Sequence, residues 1–118
     1  MKFLWCTLHV KDIDASVRFY EQIVGLRETR RMPGPGGGIV FLGDGETQIE
    51  LIGSGTGCIG AGVSVSFAVD DLDAKMAGVQ EMGIAIHSGP FAPSPHIRFF
   101  HVQDPDGLIV QFVEQKKG

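Results

Sequence analysis

Glu50, His9 and His101 are the side chains of this 118-residue chain best suited to chemistry. A carboxylate with two imidazoles can form a His-His-carboxylate metal site with open positions, the arrangement of non-haem iron centres. The same three groups can also work without metal. Glu50 would then be a general base or a ligand anchor, and the imidazoles would hydrogen-bond a ligand or each other. Trp5, Thr7, Ser64, Phe99 and Gln111 bind rather than react. Trp5 is the single tryptophan, and its indole can stack on a planar ligand or simply fill space. A bonded pair in which Gln111 or Ser64 holds the Glu50 carboxylate is the structural alternative to a functional Glu50. His87 and His96 are expected at the surface. Gly55 to Gly60 spells GxGxxG, but an alternating strand follows where a dinucleotide site needs a helix N-terminus, so these glycines read as linker.

The elements that position these groups are written twice. LWCTLHVKDIDASVRFY (4–20) and GVSVSFAVDDLDAKMAGV (62–79) each give an alternating strand, Val-x-Asp and an amphipathic helix. Trp5 and Ser64 occupy the same place in the two copies. Each copy closes with a turn and a strand, GDGETQIELI (43–52) and QDPDGLIVQFV (103–113), which makes Glu50 and Gln111 a second matched pair.

Residues 3–10 alternate with period two, placing Trp5, Thr7 and His9 on one face and Leu4, Cys6, Leu8 and Val10 on the other, toward the helix. Asp12 or Asp14 caps the first helix, whose stripe is Ile13, Val17, Tyr20 and Val24, and Gly25 ends it. The second helix starts near Asp70 or Asp71 and buries Leu72, Met76, Val79 and Met82. MPGPGGG (32–38) lies between two short strands as a loop that is neither helix nor central strand. Residues 84–87, 97–103 and 108–114 read as strands, with SGPFAPSPH (88–96) as a loop.

The expected fold is α+β. Two tandem βαβββ modules, 3–52 and 63–114, are joined by the linker 53–62. They form a curved mixed sheet around one cavity with the helices outside, as a single domain over 1–118. Strand parity turns Trp5, Thr7, His9 and Glu50 inward from the first copy, and Ser64, Phe99, His101 and Gln111 from the second.

Composition narrows the partners. A net charge of −4 without a basic stripe gives no reason to expect nucleic acid. No stretch approaches the roughly 20 apolar residues of a spanning helix. The N-terminus alternates rather than running apolar, so it does not read as a signal peptide. Cys6 and Cys58 form no CxxC and suit reduced thiols in a cytoplasmic setting.

LHVKDIDASVRFYEQIVGL (8–26), DPDGLIVQF (104–112) and the internal repeat resemble the vicinal oxygen chelate superfamily, which includes glyoxalase I, extradiol dioxygenases, fosfomycin-resistance enzymes and bleomycin-binding proteins. The resemblance implies the paired-module fold, a homodimer, and a divalent metal held by His or Glu at positions that fall here on Trp5, Glu50, Ser64 and Gln111. It also implies that the face bearing Ile97, Phe99 and His101 lines the cavity. Glu50 alone fits such a ligand set. Two function classes follow. One is a metal-free module, with no cofactor expected, that binds a small aromatic or anionic molecule. The other is a metal-dependent lyase, isomerase or dioxygenase with a site rebuilt from His9, Glu50 and His101.

Overall fold

A computed structural model describes residues 1–55, 57 and 62–116. Cys58 and half of the linker expected at 53–62 lie outside the described residues. The chain divides into two compact units, Met1–Ile59 with Pro105–Gly107, and Gly60–Asp104 with Leu108–Gly118.

The first unit runs β1 (Cys6–Val10), α1 (Ile13–Phe19), a π-turn (Tyr20–Val24), β2 (Glu28–Met32), β3 (Ile39–Asp44) and β4 (Thr47–Gly53). The second runs β5 (Ser64–Ala68), α2 (Leu72–Glu81), β6 (Ser88–Ser94), β7 (Ile97–Gln103) and β8 (Ile109–Gln115). The sheet orders, β1-β4-β3-β2 and β5-β8-β7-β6, are the same order written twice. In each sheet the first strand pairs parallel to the last and the other neighbours are antiparallel. The α+β class and the tandem βαβββ modules are thus as the repeat predicts.

Val-x-Asp starts both helices. Asp12 Oδ1 accepts from the Asp14 and Ala15 amides, and Asp71 Oδ1 accepts from the Ala74 amide, satisfying donors that a helix start leaves open. The stripe of α1 is wider than the four predicted residues. Ser16, Phe19 and Ile23 join Ile13, Val17 and Tyr20 in the interior, and Val24 is only half-buried. Gly25 closes the π-turn at φ 90°, a conformation that costs glycine little. In α2, Leu72 and Val79 are buried, Met76 is half-buried and Met82 is exposed. Leu8, Val10, Val40, Leu42, Ile49 and Leu51 form the buried face of the first sheet, against α1. Phe100, Val102, Val110 and Phe112 do the same against α2. Each such side chain contributes roughly 1.5–3 kcal/mol on burial.

Three sequence readings need correction. The first strand begins at Cys6 rather than residue 3, and Leu4 is exposed. Residues 84–87 are not a strand, whereas the proline-rich segment read as a loop is mostly strand β6. Its prolines are tolerated because β6 is a sheet edge and Pro90 and Pro93 fall at shifts of register, where no ladder hydrogen bond is lost. The 32–38 loop contains a one-turn 3-10 helix, Pro35–Gly37.

The DPDG turn is built by its acids. Asp104 Oδ1 accepts from the Leu108 amide at 2.9 Å. Asp106 takes the Lys11 amide at 3.1 Å and the Ser16 hydroxyl at 3.4 Å. Among the described residues no helix is long and apolar enough to cross a membrane.

Candidate functional site

The face of each sheet away from its helix carries one row of side chains in direct cross-strand register, where neighbours point the same way. In the first unit the row runs Thr7, Glu50, Phe41, Arg30. In the second it runs Ser66, Gln111, His101, Ser88.

Both rows begin with the same contact. Thr7 Oγ1 donates to Glu50 Oε1 at 2.6 Å, and Ser66 Oγ donates to Gln111 Oε1 at 2.7 Å. Glu50 is therefore engaged by a neighbour on its own sheet. Ser64 opens β5, exposed, and its register partner is Ile109. The residue facing Gln111 is Ser66, which sequence reasoning missed although it lies on the same face two residues on.

Beyond this contact the rows diverge. In the first unit Trp5 meets Phe41 edge to face at 5.1 Å and 85°, and the Arg30 guanidinium sits 4.3 Å from the same ring. Phe41 is thus buried between an indole and a cation, a stabilising geometry for both. His9 is exposed on this face of β1, opposite Ile52. In the second unit Phe99 stacks on His101 at 5.6 Å and 30°. Phe91 closes the cluster at 5.4 Å from Phe99 and 5.9 Å from His101. Ser88 Oγ lies 2.8 Å from His101 Nδ1 and 3.2 Å from His87 Nδ1, so one hydroxyl links two imidazoles. Burial, and then the neighbouring His87, hold the His101 imidazole below its ordinary value. His87 is exposed as expected, yet it belongs to this group, and only the pairing of β6 with β7 brings it there.

The expected residues divide cleanly. Trp5, Thr7, His9 and Glu50 share the open face of the first sheet, and Ser64, Phe99, His101 and Gln111 that of the second. Among the described residues, neither unit gathers three His, Cys, Asp or Glu side chains able to hold a metal ion.

A family model described as Glyoxalase/Bleomycin resistance protein/Dioxygenase superfamily matches residues 2–112. The chain belongs to this family. The lactoylglutathione lyase of Haemophilus influenzae is 32% identical over 128 residues, spanning 98% of this chain and 94% of the relative. TnmS3, an antibiotic-binding protein from Streptomyces sp. CB03234, is 26% identical with a TM-score of 0.77, over 95% of this chain and 93% of that one. A lactoylglutathione lyase from Agrobacterium tumefaciens, at 22% identity and TM-score 0.74 over 94% and 91% of the two chains, shares the fold.

This superfamily typically uses a divalent metal, and the residues to which the resemblance assigns it, Trp5, Glu50, Ser64 and Gln111, do not fit one. The Trp5 indole offers no lone pair in its plane and packs on Phe41. Ser64 is a neutral alcohol. Gln111 and Glu50 each have one side-chain oxygen committed to a hydroxyl. A single carboxylate among neutral donors is a poor set for zinc, nickel or iron.

Proposed function

We propose that this family member binds a small, partly aromatic organic molecule on the open faces of its sheets, without the family's metal. The observation that carries this reading is the pair of hydroxyl contacts, Thr7 to Glu50 and Ser66 to Gln111. They turn two family ligand positions into closed hydrogen-bonded pairs, while Trp5 and the Phe91–Phe99–His101 cluster present aromatic surface beside them. Apolar and aromatic walls supply affinity, and a few polar groups fix orientation. The antibiotic-binding neighbour supports the same class of role. Exposed Phe3 and Leu4, ahead of edge strand β1, and exposed Val63, ahead of edge strand β5, support a homodimer that covers them. The whole chain would act as one functional domain, in the cytoplasm.

Protein purified without chelators should contain far less than one equivalent of zinc, nickel, iron or manganese per chain, and a planar aromatic compound should quench Trp5 emission on binding. A full equivalent of metal, lost in His9→Ala, Glu50→Ala or His101→Ala, would overturn this reading in favour of a metal-dependent enzyme with a rebuilt site.

A further inference from the structure

Building on the reading of the protein as an aromatic-binding module, we propose that the Phe91–Phe99–His101 patch is a subsite for a neutral hydroxylated arene, the hydroxyl of which bonds His101 Nε2. Three ring systems lie within 5.9 Å of one another. Phe91 is 42% exposed at the outer edge of the group. A flat ligand ring can therefore extend an existing stack instead of having to create one.

The polar contact is set by proton counting. His101 Nδ1 is occupied by Ser88 Oγ, and no described residue bonds Nε2. The Ser88 hydroxyl has one proton to share between His101 and His87. If Ser88 donates to His101 Nδ1, then Nε2 carries the hydrogen and offers a donor. If His101 donates to Ser88 and Ser88 to His87, then Nε2 is an acceptor. A ligand hydroxyl both donates and accepts, so it satisfies either arrangement without removing a proton from the network. A carboxylate satisfies only the first, and a ketone likewise.

Charge points the same way. On the open face of the second sheet, strand parity places Ser64, Ser66 and Ala68 on β5, with Gln111 on β8 and His101 on β7, and no lysine, arginine, aspartate or glutamate. Arg98 projects to the other face, where it pairs with Asp73 at 2.8 Å. An anionic ligand would find no fixed cation among these residues, and burial beside His87 disfavours a charge on the His101 ring.

Titration of the full chain with naphthol, naphthalene and naphthoate tests the subsite, with affinity read by calorimetry and location by amide and imidazole shifts in proton–nitrogen correlation spectra. Naphthol should bind most tightly at neutral pH and perturb His101 and the amides of Ser88 and Phe91. His101→Phe keeps the ring and removes the nitrogen, so it should weaken naphthol about three- to tenfold while leaving naphthalene unchanged. Ser88→Ala, which frees Nδ1 without touching the stack, should weaken naphthol by a smaller factor. Tighter binding of naphthoate than naphthol, or a naphthol preference that survives in His101→Phe, overturns the subsite. In that case binding that still quenches Trp5 leaves the broader aromatic-binding reading standing, whereas failure of all three probes to bind overturns both.

Discussion

The open faces of the two sheets share strand order, register and a hydroxyl-led pair, yet one is charged and the other is not. At matched places the first unit carries Glu50, Phe41 and Arg30 where the second carries Gln111, His101 and Ser88. The backbone repeat and the leading hydroxyl have been kept, while every group that could meet a ligand has changed. The helix-facing sides are alike in character, with Leu51 of β4 matched by Phe112 of β8 and Val40 of β3 by Phe100 of β7. Shape is duplicated on one side of each sheet, and chemistry is individual on the other. That division is expected where a fold hosts many functions through residues placed on a common frame.

The largest effects should come from the side that is alike. Leu51→Ala and Phe112→Ala each remove a fully buried side chain. They should cost about 2–5 and 3–5 kcal/mol of unfolding free energy in urea titrations. If one of the pair were near neutral, the two cores would not be equivalent.

Smaller effects should separate the open faces. Thr7→Val removes a hydrogen bond to a carboxylate, and Ser66→Ala removes one to a neutral amide. A charge-assisted bond is about twice as strong, so on these exposed positions losses of about 1 and about 0.5 kcal/mol are expected. Equal losses in thermal melts would mean that the charge on Glu50 contributes nothing to its own contact.

The smallest effect is electrostatic. His101 holds its proton less well in the folded protein than in the unfolded chain. On acidification below about pH 6.5, the unfolded state therefore takes up more protons, and folding stability falls. Above that range the group contributes no slope. His101→Phe, which copies the first unit's Phe41, should flatten this part of the stability–pH curve. An unchanged slope would place its origin in another group.

Sequence reading reached the frame because its signals are local. Alternation places Leu8 and Val10 on the buried side toward the helix, and Asp12 and Asp71 each announce a helix. It failed at β6, because three prolines outweigh any strand signal unless the segment is known to be an edge with shifted register. Among candidate site residues, Glu50 and His101 were legible by type and parity. The equivalence of Phe41 and His101 was hidden because the second closing hairpin is one residue longer than the first. The linking of His87 to His101 through Ser88 depends on how β6 lies against β7, a long-range pairing that no window of sequence encodes.

The turn Pro105–Gly107 belongs to the first unit although it is written near the far end of the chain. Ser16, wholly inaccessible to solvent, has its hydroxyl on Asp106. A ribosome that has released Met1–Ile59 has therefore not yet supplied everything that half needs. At roughly 5–20 residues per second, the missing acceptor arrives some seconds later. The first half must wait, incompletely satisfied, for a part encoded beyond its twin. The repeat looks like two genes fused, but the first copy takes the partner of its buried Ser16 from a turn written inside the second.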